Sequence, residues 1–396
     1  MVRLPKKLSK YLNWKLFSIF ILLIITTSAC VLYYQKTNLL NNEISILTKK
    51  ERALGEELLK TENELIELKN QDQIKRNNNL EETIKNIEVA YKRSVEIYEK
   101  MVDLPTSAKK SEHSELFAQS LDYLSQRNFS SASATLTDLD KKIAAAQIQV
   151  STSFTIPANV PTQNTPPTSG HSRQKVVTDI GEFLVDIITA DLNSTRVIVD
   201  TASDSDCRDN CPVMSLGDYA ARSGAFAGIN GSYFCPADYP SCAGKTNSFD
   251  TLLMNKNKTY FNSDNNIYST VPAVIFLNGS MRFVGASQEW GRDTGVDGVI
   301  ANQPLLLSSG NITFGGGSDP KQGSRGSRSF VASTGSTGYI GVVHNATVAE
   351  VAVVLQKMGI QNALNLDSGG STALWAGGYK VGPGRNLPNA VLFVRK

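Results

Sequence analysis

The chain opens with two contrasting segments. Residues 1–15 carry five basic side chains and no acidic one, and residues 16–34 then run for 19 positions without a charge. A helix rises 1.5 Å per residue, so this segment can cross a hydrocarbon core of about 30 Å, and basic flanks stay cytoplasmic. The pattern predicts a cytoplasmic tail, a single-pass anchor over 16–34 in the cell membrane, and an extracytoplasmic remainder.

Two alternatives involve cleavage of this segment. One is a simple signal peptide. The other is a bacterial lipoprotein, because Thr27 to Cys30 faintly resembles its cleavage site, although Thr27 stands where a leucine is expected. All three alternatives place the rest of the chain outside the cytoplasm.

Residues 37–80 repeat apolar side chains at heptad spacing. The seam consists of Leu40, Ile44, Leu47, Leu54, Leu58, Leu65 and Leu68. Glu51 and Thr61 occupy seam positions and weaken it. The spacing predicts a short coiled coil that pairs two copies into a homodimer. A single amphipathic helix that packs on its own chain is the alternative.

A second helical block follows over residues 82–148. Its apolar residues recur at three- and four-residue spacing, with breaks at 103–105 and 127–129, which predicts an all-α helical hairpin that serves as a stalk or docking module. Residues 151–174 hold four prolines among Ser, Thr, Asn and Gln, a composition typical of an extended linker.

From residue 175 to 396 the pattern changes to short β-branched runs separated by glycine-rich turns, which is typical of strands. One helix interrupts them, from Thr347 to Met358, with Gly359 as its stop. We expect an α+β domain with a mixed β-sheet and few helices, preceded by the membrane anchor, the coiled coil and the helical hairpin.

Composition narrows the class of protein. Of the 396 residues, 41% are hydrophobic and 19% are charged, so the chain can bury a core and is not disordered throughout. The net charge of +3 is too small to indicate a nucleic-acid partner.

Four cysteines, Cys207, Cys211, Cys235 and Cys242, cluster in the predicted extracytoplasmic part. An even, clustered set in an exported chain predicts two disulfides. Local pairing, Cys207 with Cys211 and Cys235 with Cys242, is favoured among the three connectivities. Zinc is the alternative, but the spacings lack the paired C-x2-C knuckles of structural zinc sites.

One segment combines an acid with a glycine-rich turn. An apolar strand ends at Asp367, and Ser368 to Thr372 follow as Ser-Gly-Gly-Ser-Thr. A carboxylate beside backbone N-H groups and hydroxyls suits the binding of an anion or a sugar next to an acid or base. A plain turn with a solvated aspartate is the alternative.

Other segments add candidate ligands for the same site. Asn230 precedes a small-residue turn and two aromatic residues, which could face a sugar. Arg325, Arg328 and Arg385 each lie near glycine turns. The planar guanidinium group suits bidentate capture of phosphate or carboxylate, so these arginines indicate an anionic ligand.

The order of these motifs resembles the phosphodiester glycosidase family, which includes the lysosomal uncovering enzyme and many exported bacterial proteins. The matching segments are NGSYF at 230–234, RSFVA at 328–332, a helix that ends at Gly359, LNLDSGGST at 364–372 and RNLPNAV at 385–391. The resemblance covers about residues 176–396. Ser368, Ser232 and Tyr233 depart from the family pattern, and these departures bear on the choice of substrate.

The resemblance implies hydrolysis of the bond between an anomeric carbon and a phosphodiester oxygen. Asp367 is then the acid, base or nucleophile, and Asn230 binds the sugar or orients a catalytic group. Arg328 and Arg385 hold the phosphate, and the loop of Gly369, Gly370, Ser371 and Thr372 donates N-H and O-H groups. We expect no cofactor and no metal ion.

Ordinary glycosidases use a second carboxylate. Asp297 and Glu289 are candidates, although either is better explained as a surface or turn residue. His344 is a candidate base, with burial in a strand as the commoner fate.

The sequence thus predicts a membrane-anchored hydrolase that acts on a sugar-1-phosphodiester or cell-wall glycan of the envelope. The alternatives are a cell-surface carbohydrate-binding protein without catalysis and a serine hydrolase that uses Ser371. The second is weakened because Ser371 is not in a nucleophile elbow. Teichoic-type polymers, capsule linkages and glycan-phosphate lipids all fit as substrates.

Overall fold

The structure, a computed structural model, describes residues 6–262 and 269–396 and divides into two compact units that meet between Asn86 and Ile87. The first unit contains helix α1 (Lys6–Asn70) and the start of helix α2 (Asp72–Val102). The apolar segment predicted as an anchor lies within α1. In the described residues this is the one helix long and apolar enough to span a membrane or to act as a signal anchor.

The segment predicted as a coiled coil is helical on both sides of residue 71. Its seam residues are solvent-exposed, with Leu47 and Leu54 each more than half exposed. Pairing of two copies along this seam stays a prediction.

The second unit begins with a block of three helices, which we call the helical block. It comprises the C-terminal half of α2, helix α3 (Ser111–Ser125) and helix α4 (Phe129–Ser153). Its core is formed by Ile97, Leu104, Leu136, Leu139 and Ile143. The end of α2 and the turn between α3 and α4 lie at the two positions where the sequence breaks its apolar pattern. The Asn128 side chain caps α4 by accepting a hydrogen bond from the Ser131 N-H.

The proline-rich segment after α4 is hydrogen-bonded to the first strand. Gln174 is fully buried, and its side-chain amide donates to the Gln163 and Thr165 carbonyls. Asn164 exchanges two further hydrogen bonds with the Val177 backbone. These contacts hold the segment along the first strand, because a buried amide side chain must find hydrogen-bond partners.

The rest of the second unit consists of short strands and three helices. The strands in the described residues are β1 (Gly170–Thr178), β2 (Gly181–Asp191), β3 (Thr195–Thr201), β4 (Ala225–Asn230), β5 (Leu253–Met254), β6 (Tyr260–Phe261), β7 (Ala273–Leu277), β8 (Ser280–Val284), β9 (Gly298–Ala301), β10 (Leu305–Ser308), β11 (Asn311–Ile312), β12 (Gly326–Thr334), β13 (Thr337–Ala346), β14 (Asn362–Asn365), β15 (Leu374–Trp375), β16 (Tyr379–Val381) and β17 (Asn389–Arg395). The helices are α5 (Leu216–Ser223), α6 (Pro320–Gly323) and α7 (Val348–Lys357).

The strands form three sheets. Their orders are β1-β2-β13-β12-β14-β10-β11, β16-β15-β4-β17-β3 and β6-β5-β9-β7-β8. Every pairing between these strands is antiparallel, where the sequence predicted a mixed sheet. Antiparallel neighbours need only tight turns, which fits the many glycines between the strands.

The inner faces of the three sheets share one hydrophobic core, with Val199, Ile229, Phe276, Val331 and Leu364 among its fully buried residues. Helix α7 covers the outer face of the seven-stranded sheet. Thr347 and Glu350 form a capping box at its start, and Gly359 follows its end with a positive φ of 77°. The helix predicted over 347–358 is confirmed within one residue at each end.

Several strand ends meet at one end of this core. Strand β4 ends at Asn230, and the chain leaves β14 through Leu366, whose N-H donates to the Ser329 carbonyl of β12. The chain then crosses from the seven-stranded sheet to the neighbouring five-stranded sheet, which it enters at β15. The loop that carries Asp367 makes this crossing, so both sheets fix its position.

Candidate active site

Asp367 is held by its own loop and by the start of the first motif. Its N-H donates to the Gly231 carbonyl at 3.0 Å. Its carboxylate accepts the Ser368 N-H at 2.9 Å and a hydrogen bond from the Ser371 hydroxyl. Burial raises the pKa of Asp367 to about 6, against the lowering effects of these hydrogen bonds and of the Arg385 charge. The carboxyl group can therefore change its charge near neutral pH.

Asn230 is fully buried directly behind Asp367. Its amide nitrogen donates to the Asp367 carbonyl at 2.6 Å, and its Oδ1 accepts from the Ser329 hydroxyl and the Ala373 N-H. These contacts clamp both ends of the 367–372 loop. Of the two roles predicted for Asn230, the geometry favours orientation of a catalytic group over contact with a sugar.

The first and last motifs meet behind this loop. A Cβ atom at Gly231 would lie 1.7 Å from Oδ1 of Asn389, so only glycine fits. The same Oδ1 accepts the Ser232 N-H at 2.9 Å, and the Asn389 Nδ2 donates to the Ser232 hydroxyl. Asn389 is thus a structural partner of the NGSYF segment, which explains why both motifs accompany the Asp367 loop.

Arg385 lies over the glycines of the loop. The backbone N-H of Arg385 donates to the Gly370 carbonyl at 2.8 Å. A Cβ atom at Gly370 would come within 2.4 Å of Nη2 of the Arg385 side chain. Gly369 has a positive φ of 63°. Both glycines are exposed, so their backbone N-H groups can reach a ligand beside the guanidinium group.

Arg328 is more committed to the protein than Arg385. It is 8% exposed, its Nε donates to the Ala346 carbonyl, and its Nη2 donates to carbonyls of Lys321 and Ser324. Burial lowers the pKa of Arg328. These bonds fix the 320–324 segment against the site, and phosphate binding by Arg328 stays a prediction.

Ser371 and Thr372 of the loop are turned inward. Ser371 is 1% exposed and its hydroxyl bonds Asp367, while the Thr372 hydroxyl donates to the Ser327 carbonyl at 3.2 Å. A buried Ser371 engaged by a carboxylate is a poor nucleophile, which weighs against the serine hydrolase alternative.

The structure adds a carboxylate that the sequence analysis missed. The N-H of Asp250 donates to the Tyr233 carbonyl of the first motif at 3.2 Å, and the charge of Asp250 acts to raise the pKa of Asp367. Asp250 is exposed to solvent, yet burial of its carboxyl among surrounding atoms raises its own pKa, against the charges of Lys245 and Lys321. Only its place after Phe249 marks it in the sequence, and that is a weak signal.

The two acids that the sequence suggested as second carboxylates have other partners. The Asp297 carboxylate accepts a hydrogen bond from Arg196 at 2.7 Å. Asp297 precedes β9, whereas Asn302, whose side chain accepts the Tyr233 N-H, follows that strand. Glu289 caps a short turn by accepting the Ala286 N-H.

His344 belongs to a separate polar cluster next to the site. Its Nε2 and that of His171 each donate to the buried Asp186 at 2.8 Å, and its Nδ1 lies 3.4 Å from the Ser327 hydroxyl. Burial acts to raise the pKa of Asp186, but these hydrogen bonds prevail and hold it at about 2. His344 is therefore the partner of a fixed negative charge within the sheet.

A disulfide-bonded segment forms the remaining wall. The four cysteines pair as Cys207–Cys211 and Cys235–Cys242, the local pairing that the sequence favours over zinc. The second disulfide closes a loop that carries Tyr239. The Tyr239 ring lies 5.4 Å from the Arg385 guanidinium carbon and 4.5 Å from the Lys321 ammonium group. Within the described residues no three His, Cys, Asp or Glu side chains are placed to hold a metal ion.

The helical block also reaches this wall. Asp103, just after α2, accepts from the Tyr239 hydroxyl at 2.5 Å and lies 3.7 Å from Nη2 of Arg385. Glu99 accepts the Ser241 N-H. The cleft therefore combines two carboxyl groups, Asp367 and Asp250, with Arg385 and two exposed glycines, and the helical block borders it at Asp103.

Residues 223–394 match the family model of the phosphodiester glycosidases. This match confirms the resemblance that the ordered motifs indicate.

Solved structures with similar folds include two at low identity. A hypothetical protein from Synechocystis is 16% identical, with a TM-score of 0.40, and the match covers 57% of this chain and 62% of that one. The catalytic domain of zebrafish N-acetylglucosamine-1-phosphodiester alpha-N-acetylglucosaminidase, auto-inhibited by its pro-peptide, is 15% identical, with a TM-score of 0.44, and the match covers 60% of this chain and 87% of that one. The chain thus spans less than two thirds of the Synechocystis protein. No curated protein matches the sequence.

Proposed function

We propose that this protein is an extracytoplasmic, membrane-anchored hydrolase that cleaves the glycosidic bond of a sugar-1-phosphodiester in the cell envelope. The observation that carries the proposal is Asp367 on a glycine loop that Arg385 contacts, within a segment that matches the family model of the phosphodiester glycosidases. The apolar stretch of α1 supports the location.

The reaction adds water to the anomeric carbon. The bond between that carbon and the phosphodiester oxygen breaks, and the oxygen leaves with the phosphate as a phosphomonoester. A phosphate leaving group needs little protonation, so the site must chiefly stabilise the oxocarbenium-like sugar and the negative charge on phosphate.

Each group of the cleft has a role in this scheme. Ionised Asp367 faces the anomeric carbon and stabilises its positive charge, while Asp250 takes the proton of the attacking water. Arg385 and the N-H groups of Gly369 and Gly370 hold the phosphate. Asn230 is a positioning residue, because it acts only through the Asp367 loop.

The test uses the full chain and a panel of sugar-1-phosphodiesters that differ in the sugar, with released sugar as the readout. Asp367→Asn and Asp250→Asn should each lower kcat by at least about 100-fold, a usual loss for an acid or base in a proton-transfer role. Asp297→Asn and Glu289→Gln are matched controls, since these acids have partners elsewhere, and should keep wild-type rates.

The results separate the proposal from a binding protein without catalysis. Binding of a sugar phosphodiester by the wild type without release of any sugar in the panel would contradict the enzymatic function. Equal losses in the control variants would contradict the assignment of the carboxylates.

A further inference from the structure

The helical block contains an apolar groove next to the cleft. It encloses about 560 Å³, within the range of small-molecule sites, and lies between α2, the end of α3 and the start of α4. Its walls include Tyr91, Tyr98, Phe117, Leu121 and Phe129, and Pro240 of the disulfide-closed loop forms one end. Aromatic and aliphatic side chains thus dominate a surface that is open to solvent.

The groove presents few hydrogen-bonding groups. Its wall from α2 is helix interior, where backbone N-H and C=O groups are paired within the helix, and only Ser125 and Phe129 lie at helix ends. Besides the tyrosines, its polar side chains are Ser94 and Ser125, and the Ser94 hydroxyl donates to the Ala90 carbonyl. An extended peptide would lose hydration of its own backbone here without compensation, whereas a hydrocarbon chain has no polar group to satisfy.

Adjacent residues of one loop link the groove to the proposed phosphate site. Pro240 lines the groove, and the ring of the preceding residue, Tyr239, lies 5.4 Å from the guanidinium carbon of Arg385. The helical block holds this loop through Asp103 to Tyr239 and Glu99 to Ser241. A phosphate at Arg385 therefore lies beside the Pro240 end of the groove.

We propose that this groove binds the hydrocarbon chain of the substrate, and that the substrate is a sugar phosphodiester whose other ester carries a long apolar chain. The proposal rests on the proposed function for the position of the phosphate. It selects glycan-phosphate lipids over the polymeric phosphodiesters of the envelope, which would place polar repeats against this surface. A helix with an apolar stretch of membrane-spanning length in the same chain fits a lipid substrate.

The test measures binding of decyl phosphate and methyl phosphate to the full chain in lipid nanodiscs by calorimetry, with empty nanodiscs subtracted. Burial of one methylene group strengthens binding by about fourfold, so decyl phosphate should bind at least about 30-fold more tightly than methyl phosphate. The groove variant is Ile87→Gln with Leu121→Gln, at two lining residues that are 50% and 44% exposed and so tolerate substitution.

Ile148→Gln is the matched control, since Ile148 is an isoleucine of α4 that is 62% exposed and lies outside the groove. Partition of decyl phosphate into the lipid affects all variants alike. The decyl advantage, meaning the ratio of the affinities for decyl phosphate and methyl phosphate, should be at least about tenfold smaller in the groove variant. The control should keep it. An equal advantage in all three proteins would overturn the proposal.

A kinetic arm separates this proposal from the proposed function. Sugar release from decyl and methyl diesters of the same sugar phosphate is compared, and the decyl diester should show a lower KM that depends on the groove. Release from both with equal KM would overturn the groove as a substrate site and leave the hydrolase function intact. Groove-dependent binding of decyl phosphate without any sugar release would contradict the hydrolase function and leave the groove as a binding site for the apolar chain.

A protein occupant is the remaining outcome of the test. If the groove variant changes the mass of the assembly in sedimentation while the decyl advantage is unchanged, the groove is an interface between proteins and the proposal is wrong.

Discussion

Asp367 owes its pKa to a balance between burial and three groups that favour its charge. Burial is the larger influence and raises the pKa to about 6, while Ser371, the Ser368 N-H and Arg385 oppose it. The neighbouring Asp250 adds to the rise. The ionised form that the proposed reaction requires therefore becomes dominant only above about pH 6.

The pH profile of kcat/KM should follow this balance. We predict that activity rises with pH through about 6, because deprotonation produces the active carboxylate. Ser371→Ala removes a hydrogen bond that lowers the pKa, so the midpoint should move to higher pH. Ser368→Ala is the matched control, since its donor to Asp367 is the backbone N-H, and should leave the midpoint in place.

Initial rates between pH 4.5 and 8.5 measure these midpoints. A profile that falls with rising pH through 6 would show that the protonated acid is the active form. An unchanged midpoint in Ser371→Ala would contradict the role of the hydroxyl in setting the charge of Asp367.

Gly231 and Asn389 form a second close contact at the scale of single residues. Gly231→Ala should lower the free energy of unfolding by about 2 kcal/mol or more, because the new methyl group overlaps Oδ1 of Asn389. In the double variant with Asn389→Ala that overlap is gone, so the combined loss should be smaller than the sum of the single losses.

Urea unfolding of the full chain measures these losses. Gly326→Ala is the control, because a Cβ there meets no atom within 4 Å and should cost less than about 1 kcal/mol. Additive losses at Gly231 and Asn389 would show that the two motifs do not hold each other in place.

At the scale of elements, the helical block supplies a negative charge to the proposed phosphate site. Asp103 lies 3.7 Å from Arg385 and competes with phosphate for it. Asp103→Asn keeps an acceptor for the Tyr239 hydroxyl and removes the charge. We predict a decrease in KM of about 3- to 10-fold for a sugar phosphodiester, which corresponds to the coupling of about 1 kcal/mol expected for a partly exposed pair.

Asp140→Asn is the matched control for this measurement. Asp140 pairs with Lys100 in the same block at 2.8 Å, and its removal should leave KM unchanged. The decrease for Asp103→Asn should shrink at high salt because exposed charges are screened. An increase in KM would show that Asp103 supports substrate binding instead.

Elements whose signals are local could be predicted from the sequence. Thr347, Glu350 and Gly359 mark the ends of α7, and the close spacing of the cysteines favours the disulfides that form. The hydrogen bonds that hold the proline-rich segment to the buried Gln174 of β1 could not be predicted. Composition reports the tendency of a segment by itself and contains no information about such a partner.

The same limit applies to the site. Asp367 could be predicted because a strand, an acid and two glycines are adjacent in sequence. Asp250 and Asp103 reach the cleft from other loops, and no local pattern distinguishes them from the other acids of the chain. Asp297 and Glu289 are candidates for the second carboxylate in the sequence, but in the fold they bind other partners.

At the scale of the whole molecule, the chain combines a helix that is long and apolar enough to span a membrane, a helical block with an apolar groove, and a segment that matches the family model of the phosphodiester glycosidases. The groove and the cleft share the loop closed by Cys235–Cys242. This arrangement suits a substrate with an apolar chain on one side of a phosphate and a sugar on the other.

The central claim is that water attacks the sugar carbon and not the phosphorus. Hydrolysis of a sugar-1-phosphodiester by the full chain in water enriched in oxygen-18, followed by mass spectrometry of both products, tests it directly. We expect the heavy oxygen in the released sugar and none in the phosphomonoester, with no release by Asp367→Asn. Heavy oxygen in the phosphate, or the same release by the variant, would contradict it.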